Sequence, residues 1–331
     1  MVKSFYSTGI ARKPVHKREL YLLGKPTKYR SIGNRNSPIF FIFLFPSVFA
    51  FIMVIIIPFV IGVYYSFTNW RMIPGAPPPD WVGLQNYLSM FRDASFLHSF
   101  LVTSVYAIIN IFILNIIAFF LALLVTAKLK LTGVYRAGFF LPNLIGGLIL
   151  GYLWMFIFNM IVPQFGGAVG WSWLAENPFL GERNLALAAI IIVGTWQYAG
   201  YLMMIYVAAI QGIPSSLLEA SAIDGVNYGQ RLKHVVFPLV APAFTVSMFL
   251  SLLYSFRQFD VNIALTGGMP AGIFMGGAVR TTEFLALNIF NTAFTFNEVA
   301  QGQARAVMFF IMLVIIALIQ VRINKRREIE M

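Results

Sequence analysis

Four long stretches without a charged residue constrain this chain more than any other feature of its sequence. Each stretch runs for 34–39 residues without Asp, Glu, Lys or Arg, and each is mostly apolar. The stretches lie between Arg35 and Arg71, Asp93 and Lys128, Arg136 and Glu176, and Arg183 and Glu219. Only 11% of all residues are charged, whereas about a quarter are charged in soluble domains. The sequence therefore excludes a soluble enzyme, a disordered chain and a collagen-like chain.

The uncharged stretches predict an all-α polytopic membrane protein with six transmembrane helices. A helix needs roughly 20 apolar residues to cross a hydrocarbon core of about 30 Å. The predicted spans are residues 39–65, 99–127, 137–159, 185–211, 237–259 and 304–321. The sixth span has only 16 uncharged residues between Arg305 and Arg322, so we expect both arginines to extend to the headgroups.

A seventh uncharged stretch, residues 261–279, is predicted to be a loop because it contains Pro270 and five glycines, which disfavour a helix exposed to lipid. The distribution of Lys and Arg independently supports six spans. With six spans, 18 of the 24 basic residues fall on one side of the membrane. They lie in the tails 1–37 and 322–331 and in the loops 128–136 and 212–236. Since cytoplasmic loops carry the excess of Lys and Arg, both termini are predicted to be cytoplasmic.

The predicted organisation is a basic N-terminal tail (1–37), a six-span domain (38–321) and a short basic C-terminal tail (322–331). The apolar stretch after the N-terminal tail is much longer than that of a signal peptide. The tail's basic residues are dispersed without an RNA-binding signature, so we interpret it as facing anionic lipid rather than nucleic acid. The chain has no cysteine and three histidines, scattered at His16, His98 and His234. We therefore predict no disulfide and no metal site.

One predicted cytoplasmic loop, residues 213–237, carries several signals for short helices. Ser216 and Glu219 have the spacing of a capping box, and Gly225 stands where a helix would end in a left-handed residue. Asn227 and Gln230 repeat the start signal. The pattern predicts two short helices that project from the membrane and fit a groove in a soluble partner.

Residues 219–225 read Glu-Ala-Ser-Ala-Ile-Asp-Gly and are followed by Pro238, predicted in the first turn of the fifth span, and by Pro242. This segment resembles the EAA loop of membrane subunits of binding-protein-dependent ABC importers, with the closest fit to carbohydrate permeases of the maltose and glycerol-3-phosphate type. The family usually has a second Ala where this chain has Ser221. Weaker similarities extend the resemblance to residues 38–325: 66–70, 82–87, 140–142, 259–260 and 265–268.

The resemblance implies an ABC type I importer permease fold and a subunit without a catalytic site or a cofactor of its own. ATP and Mg are expected on two cytoplasmic ABC ATPase subunits, and an extracellular or periplasmic binding protein is expected to deliver the solute. A second homologous permease would complete the pathway, in a bacterial or archaeal plasma membrane. The family usually pairs two different permeases, but a homodimer stays open. The residues expected to couple to the ATPase are Glu219, Ala220, Ser221, Asp224 and Gly225.

Two of these coupling residues keep alternative interpretations. Glu219 either contacts the ATPase in addition to capping its helix, or it only caps the helix. Asp224 either contacts the ATPase or satisfies a local turn.

Polar and aromatic residues inside the spans are candidates for contact with a solute, because such residues usually face a cavity or a neighbouring helix. They are Asn110 and Asn115 in the second span, Trp196, Gln197, Tyr198 and Tyr201 in the fourth, and Tyr254, Ser255 and Gln258 in the fifth. The two asparagines are about 140° apart around a helix, so they cannot both point into one pathway. For each candidate the alternative is a hydrogen bond between helices or a place in the interface belt.

Two features on the outer side have alternative interpretations. Arg257 and Asp260 are expected to form an ion pair at the headgroups, the alternative being contact with the binding protein. The glycine-rich residues 267–277 lack a phosphate-binding pattern. They are expected to form an outer loop that touches the binding protein or the partner permease.

Two other classes of membrane protein remain as alternatives. An ion-coupled secondary transporter of a neutral solute would tend to carry an acid inside a span, and no Asp or Glu lies in the interior of any predicted span. A membrane-embedded enzyme needs a cluster of His and carboxylates, and the three histidines are scattered. The sequence does not identify the solute, which could be a sugar, a polyol or glycerol phosphate.

Overall fold

The computed structural model describes residues 37–75, 77–127 and 130–325. Residues 1–36 and 326–331 of the predicted basic tails lie outside these residues, whereas residues 322–325 of the predicted C-terminal tail belong to the last helix, Val299–Lys325. The described chain contains six helical stretches that are long and apolar enough to cross a membrane, which confirms the predicted number of spans. These stretches are Phe40–Tyr65, Ala94–Thr126, Gly147–Ala168, Arg183–Gln211, Tyr228–Phe256 and Val299–Asn324.

The chain divides into two compact units, Met1–Pro58 and Phe59–Met331. The first unit contains α1 (Ser37–Phe51) and the π-helical turn Ile52–Ile56, and α2 (Ile57–Tyr65) begins at its end. The second unit contains the remaining elements. Its helices up to the fourth span are α3 (Gln85–Met90), α4 (Ala94–Thr126), α5 (Thr132–Phe140), α6 (Gly147–Phe156), α7 (Val162–Ala168), α8 (Ser172–Glu176) and α9 (Arg183–Gln211). The later helices are α10 (Ser215–Ile223), α11 (Tyr228–Arg231), α12 (Phe237–Phe256), α13 (Asp260–Leu265), α14 (Leu285–Phe290) and α15 (Val299–Lys325).

The centre of the second unit is the contact between α4 and α9. Both helices bury small and large apolar side chains along their length, such as Ala107, Leu114 and Ala118 on α4 and Ile190 and Leu202 on α9. The small residues allow the two helix backbones to approach closely, as is usual where helices pack in a membrane. α12 packs against the same pair. The second, fourth and fifth spans therefore form one packed core.

The third span begins later than the sequence predicts. Residues 137–140 belong to α5, and a 3₁₀ turn at Leu141–Leu144 follows it. Pro142 lies at the start of that turn, and Ile145 and Gly146 are extended, with ψ of 128° and 137°. A proline and two extended residues interrupt the helix, so the span starts at Gly147 and, through a π-helical turn at Ile157–Ile161, ends at Ala168.

The uncharged residues 261–279 do not form a span, as predicted. They contain α13 and the antiparallel hairpin of β1 (Ala271–Phe274) and β2 (Gly277–Arg280), in which Ala271 pairs with Arg280. The hairpin turns at Met275 and Gly276, whose φ angles are +49° and +77°. Two consecutive positive φ angles match the twist of a hairpin, and the glycine favours that turn.

The expectation that Arg305 extends to the headgroups is wrong. The sixth span already begins at Val299, so Arg305 lies inside it, and only 5% of its side chain is exposed. Its guanidinium donates to Asn288 Oδ1 and Thr292 Oγ1, both at 2.7 Å, and pairs with the Asp93 carboxylate. Because acceptors inside the protein bind the guanidinium, Arg305 does not extend to the headgroups.

Candidate coupling loop and solute pathway

α10 (Ser215–Ile223) is the projecting helix that the sequence predicts, and its C-terminal end has the predicted cap. Gly225 has a φ of +71°. The Gly225 N–H donates to Ala222 O at 3.2 Å, and the Val226 N–H donates to Ser221 O at 3.1 Å. These two bonds form a Schellman motif, which satisfies carbonyls at the end of a helix. The chain therefore turns back sharply after α10.

The predicted capping box of Ser216 and Glu219 is wrong. The residue before α10 is Pro214, which is extended with a ψ of 131°, and no side chain caps the helix start. Because Pro214 ends the preceding segment, the helix begins at Ser215 and Ser216 is already helical. The Glu219 carboxylate is exposed and has no hydrogen-bond or ion-pair partner among the described residues. The interpretation of Glu219 as a cap is thereby excluded, and its contact with a partner stays a prediction.

The second capping box is confirmed, although the helix it starts is not a separate one. The Gln230 N–H donates to Asn227 Oδ1 at 2.9 Å, and the Asn227 N–H donates to Gln230 Oε1 at 3.0 Å. α11 then continues through a π-helical turn, Leu232–Val236, into α12. This π-helical turn comes just before Pro238, which has no backbone N–H to donate to the regular α-helical hydrogen-bond pattern. The loop therefore has one free short helix, α10, followed directly by the fifth span.

The predicted coupling residues lie at the surface of α10 and of the turn after it. Ala220, Asp224 and Gly225 are exposed and line a cavity of about 600 Å³ together with Leu217 and Ser221. Ser221 is buried, and its hydroxyl donates to Leu218 O at 2.7 Å. The Ser in place of the family's Ala therefore satisfies its own polar group within the helix. α10 also exposes 86% of Ile223.

Asn110 and Asn115 join helices in the packed core. Asn110 donates to Ser255 Oγ at 2.8 Å and accepts from Thr195 Oγ1 at 3.2 Å. Asn115 donates to Ser251 Oγ at 2.9 Å and accepts from the Tyr206 hydroxyl at 2.7 Å. Each asparagine thus links the second span to both the fourth and the fifth, as expected for polar groups buried between helices.

Asn110, Asn115 and Ser255 are buried in this chain, with relative exposures of 0%, 5% and 0%. None of the three lines the cavities described between the spans. The structure therefore separates them from the aromatic and amide residues of the fourth and fifth spans.

Four of the remaining candidates, Gln197, Tyr198, Tyr254 and Gln258, meet at one cavity of about 530 Å³ between the fourth and fifth spans. The Tyr254 hydroxyl donates to Gln197 Oε1 at 3.0 Å and accepts from Gln258 Nε2 at 3.2 Å. The rings of Tyr198 and Tyr254 are stacked with their centroids 4.0 Å apart. Aromatic faces beside planar amides provide both kinds of contact that sugars use.

Trp196 and Tyr201 lie outside this cavity. Trp196 packs edge to face on Trp154, with the ring centroids 5.6 Å apart. Tyr201 contacts the Tyr198 ring but lines a separate apolar cavity beside Phe140. Gly147 and Leu250 also line the cavity between the fourth and fifth spans. They could not be recognised from the sequence, because neither residue is polar or aromatic.

The predicted ion pair between Arg257 and Asp260 is wrong. The ion pairs among the described residues are Arg71–Glu298 and Arg305–Asp93. The helix of the fifth span ends at Phe256 and α13 begins at Asp260, so the two side chains are not one turn apart on a single helix. Both line the cavity between the fourth and fifth spans.

Comparison with known proteins identifies the family. Residues 115–329 match the family described as binding-protein-dependent transport system inner membrane component. The chain belongs to this family. The permease is 43% identical over 297 residues to the probable starch degradation products transport system permease protein AmyD of Thermoanaerobacterium thermosulfurigenes, with coverage of 90% of this chain and 97% of that protein. It is 32% identical to the multiple sugar-binding transport system permease protein MsmF of Streptococcus mutans, with coverage of 81% and 89%.

The fold of the permease also matches a solved transporter. A crystal structure of a bacterial ABC transporter involved in the import of alginate aligns with a TM-score of 0.74 at 19% identity, over 87% of this chain and 95% of that chain. At this identity the likeness establishes the fold. The chain is therefore a multi-pass membrane permease subunit of the ABC importer type and not an enzyme. Neither the secondary transporter nor the membrane-embedded enzyme is retained.

Proposed function

We propose that this permease forms, with a second permease, the pathway of an ATP-driven importer for a sugar or a related solute. An extracellular or periplasmic binding protein delivers the solute. The names of two relatives, for starch degradation products and for multiple sugars, support a carbohydrate. The observation that carries the proposal is α10, a free helix whose Glu219 is exposed without a partner among the described residues.

The role of α10 is to transmit movement from the ATPases. Two cytoplasmic ATPase subunits bind ATP and Mg and come together on the nucleotide, whereas this chain holds no cofactor. α10 lies in a cleft of one ATPase, where Glu219 pairs with a basic or hydrogen-bonding group. Small residues at Ala220 and Gly225 permit close backbone contact, and the exposed Ile223 supplies apolar area for burial. Because only short segments join α10 to α9 and α11, its displacement moves the fourth and fifth spans.

The cavity between those two spans is the proposed solute pathway. Gln197 and Gln258 offer amide groups to sugar hydroxyls, and the stacked rings of Tyr198 and Tyr254 offer an aromatic face. Movement of the fourth span against the fifth separates the two rings and opens the cavity. The buried Asn110, Asn115 and Ser255 hold the helices behind the pathway, while Trp196 and Tyr201 lie beside it.

The proposed orientation places both termini in the cytoplasm of a bacterial or archaeal cell. The two tails and the loops that join the second to the third span and the fourth to the fifth together carry 18 of the 24 basic residues, and segments with an excess of Lys and Arg stay cytoplasmic. α10 is then on the side of the membrane where ATP is available.

The substitution Glu219→Ala tests the coupling role of α10. We expect the variant to insert normally and to lose at least about tenfold in uptake, because removal of a charged contact at an interface costs about 1.4 kcal/mol or more. The measurement is uptake of a panel of labelled sugars and glycerol phosphate into vesicles that contain the assembled complex, with ATPase co-purification assayed in parallel. Ser216→Ala, an exposed change on the same helix, is the matched control. Normal uptake by the Glu219 variant contradicts the coupling role, and uptake of no sugar by the wild type contradicts the solute class.

A further inference from the structure

A second cavity, of about 580 Å³, lies against α10 at the inner ends of the spans. The ends of α4 and α9, the start of α10 and the beginning of the fifth span enclose it. Its walls are mainly aliphatic and include Leu123, Ile210, Ile213, Leu218, Leu232 and Val236. We call this cavity the inner cleft. A cleft of this volume is in the range of ligand sites.

One charged side chain lines the inner cleft, that of Arg231. It is half-buried, and its guanidinium lies over the Tyr228 ring at 5.5 Å from the centroid. No carboxylate of the described residues pairs with it. The stacking orders the guanidinium at the side of the cleft while leaving its N–H donors available for an anion.

We propose that the inner cleft binds one anionic phospholipid, with its phosphate at Arg231 and an acyl chain along the aliphatic wall. Charge complementarity selects the headgroup, and the apolar wall selects the chain. α4 ends at Thr126, α9 ends at Gln211 and α11 begins at Tyr228, so the cleft lies at the depth where helices leave the hydrocarbon and meet headgroups. Basic pockets between transmembrane helices on the cytoplasmic side are suited to anionic lipids. The cytoplasmic placement of the cleft rests on the proposed function.

The inner cleft and the cavity beside Ala220 and Asp224 lie on different sides of α10. Ser215 and Leu218, three residues apart, line the inner cleft. Leu217, Ala220 and Asp224 line the other cavity. A lipid in the inner cleft therefore supports α10 on the side of Ser215 and Leu218. The lipid composition of the membrane then sets how firmly α10 transmits movement to the fifth span.

Lipid binding to the purified full-length chain tests this inference without ATPase subunits or solute. Native mass spectrometry counts bound phosphatidylglycerol and phosphatidylcholine at matched concentrations. We expect phosphatidylglycerol to bind more tightly, and Arg231→Gln to weaken that binding about fivefold, the factor that corresponds to about 1 kcal/mol for one basic residue. Lys233→Gln is the matched control, because Lys233 is exposed two residues away and does not line the cleft. Arg231→Lys should retain most of the binding, since it keeps the charge.

Three outcomes overturn the inference. Equal binding of the two lipids removes the selection by charge. Equal losses in the Arg231→Gln and Lys233→Gln variants show diffuse attraction to a basic surface rather than a site. If the Arg231→Gln variant binds lipid as the wild type does but co-purifies less ATPase in phosphatidylcholine nanodiscs, the cleft belongs to the ATPase contact. Unfolding temperatures check that each variant is folded, and because the assay needs no transport, its result stands whether or not the complex imports sugars.

Discussion

Arg305 and Asp93 connect two spans, and the two oxygens of the Asp93 carboxylate have different partners. Asp93 Oδ1 accepts from the backbone N–H of Ser95 at 2.7 Å and thereby caps α4. The other oxygen, Oδ2, pairs with Arg305 of the sixth span. Arg305 Nη1 donates to Asn288 Oδ1 and Thr292 Oγ1. Because the guanidinium is nearly inaccessible to water, the loss of any of these acceptors would leave part of a buried charge unsatisfied.

Replacement of Arg305 by Met should lower the free energy of unfolding by about 3 kcal/mol. The reason is that the buried Asn288 and Thr292 and the partly exposed Asp93 carboxylate lose their donor. Arg71→Met is the matched control, since the Arg71–Glu298 pair is 3.2 Å long but 55% and 30% exposed, and exposed pairs contribute at most about 1 kcal/mol. Denaturation of the purified chain in detergent measures both. Equal effects of the two substitutions would refute the structural role of the buried Arg305 guanidinium.

At the residue scale, the sequence reveals which polar residues are unusual and does not reveal what they bind. Asn110 and Asn115 stand out because they interrupt an apolar span. Their partners Thr195 and Ser255 are 85 and 145 residues from Asn110 along the chain, so packing of distant helices decides the contact. The position of Arg305 was predicted wrongly for the same reason, because its acceptors come from a different span and from the segment before its own.

α9 crosses the end of α5 at a glycine that permits no side chain. A Cβ atom added to Gly200 would lie 1.8 Å from the Phe139 carbonyl oxygen. The neighbouring atom is backbone and cannot rotate away. The close approach fixes the end of α5 against the fourth span.

Gly200→Ala should therefore destabilise the chain by about 1–3 kcal/mol, the cost of overpacking. Gly138→Ala is the comparison, because Gly138 also lies in a helix but a Cβ atom added there would have no neighbour within 4 Å, and Ala in place of helical Gly is favourable by up to about 1 kcal/mol. Thermal unfolding in detergent should move in opposite directions for the two variants. A rise in the unfolding temperature of Gly200→Ala would contradict this helix contact.

At the element scale, local signals predict element ends better than they predict connections. The glycine after α10 and the box of Asn227 and Gln230 were predictable because their bonds span only a few residues. The hairpin of β1 and β2 was predicted only as a loop, since glycines mark a turn without specifying its strand pairing. The capping box at Ser216 failed because Pro214, two residues earlier, already sets the start of the helix.

At the scale of the whole molecule, the number of spans could be predicted because apolar length is a property of each segment alone. The cavity between the fourth and fifth spans could not, because the residues that line it come from four helices and include Gly147 and Leu250, which no polar pattern marks. The ATPase, the second permease and the binding protein were predicted through resemblance to a family. Neither the spacing nor the composition of one chain specifies them.

The distribution of basic residues predicts which end of the molecule faces the cytoplasm, and the absence of cysteine makes a direct test possible. The variant Met275→Cys places a thiol at the exposed hairpin turn, and Ser216→Cys places one on the exposed start of α10. A thiol reagent that does not cross membranes should label the first in intact cells and the second only after permeabilisation, because 18 of the 24 Lys and Arg residues lie on the side of α10. The cysteine-free parent is the control for background. The reverse pattern would put α10 on the outer face, where no ATPase could reach it, and the proposed coupling role would fail with it.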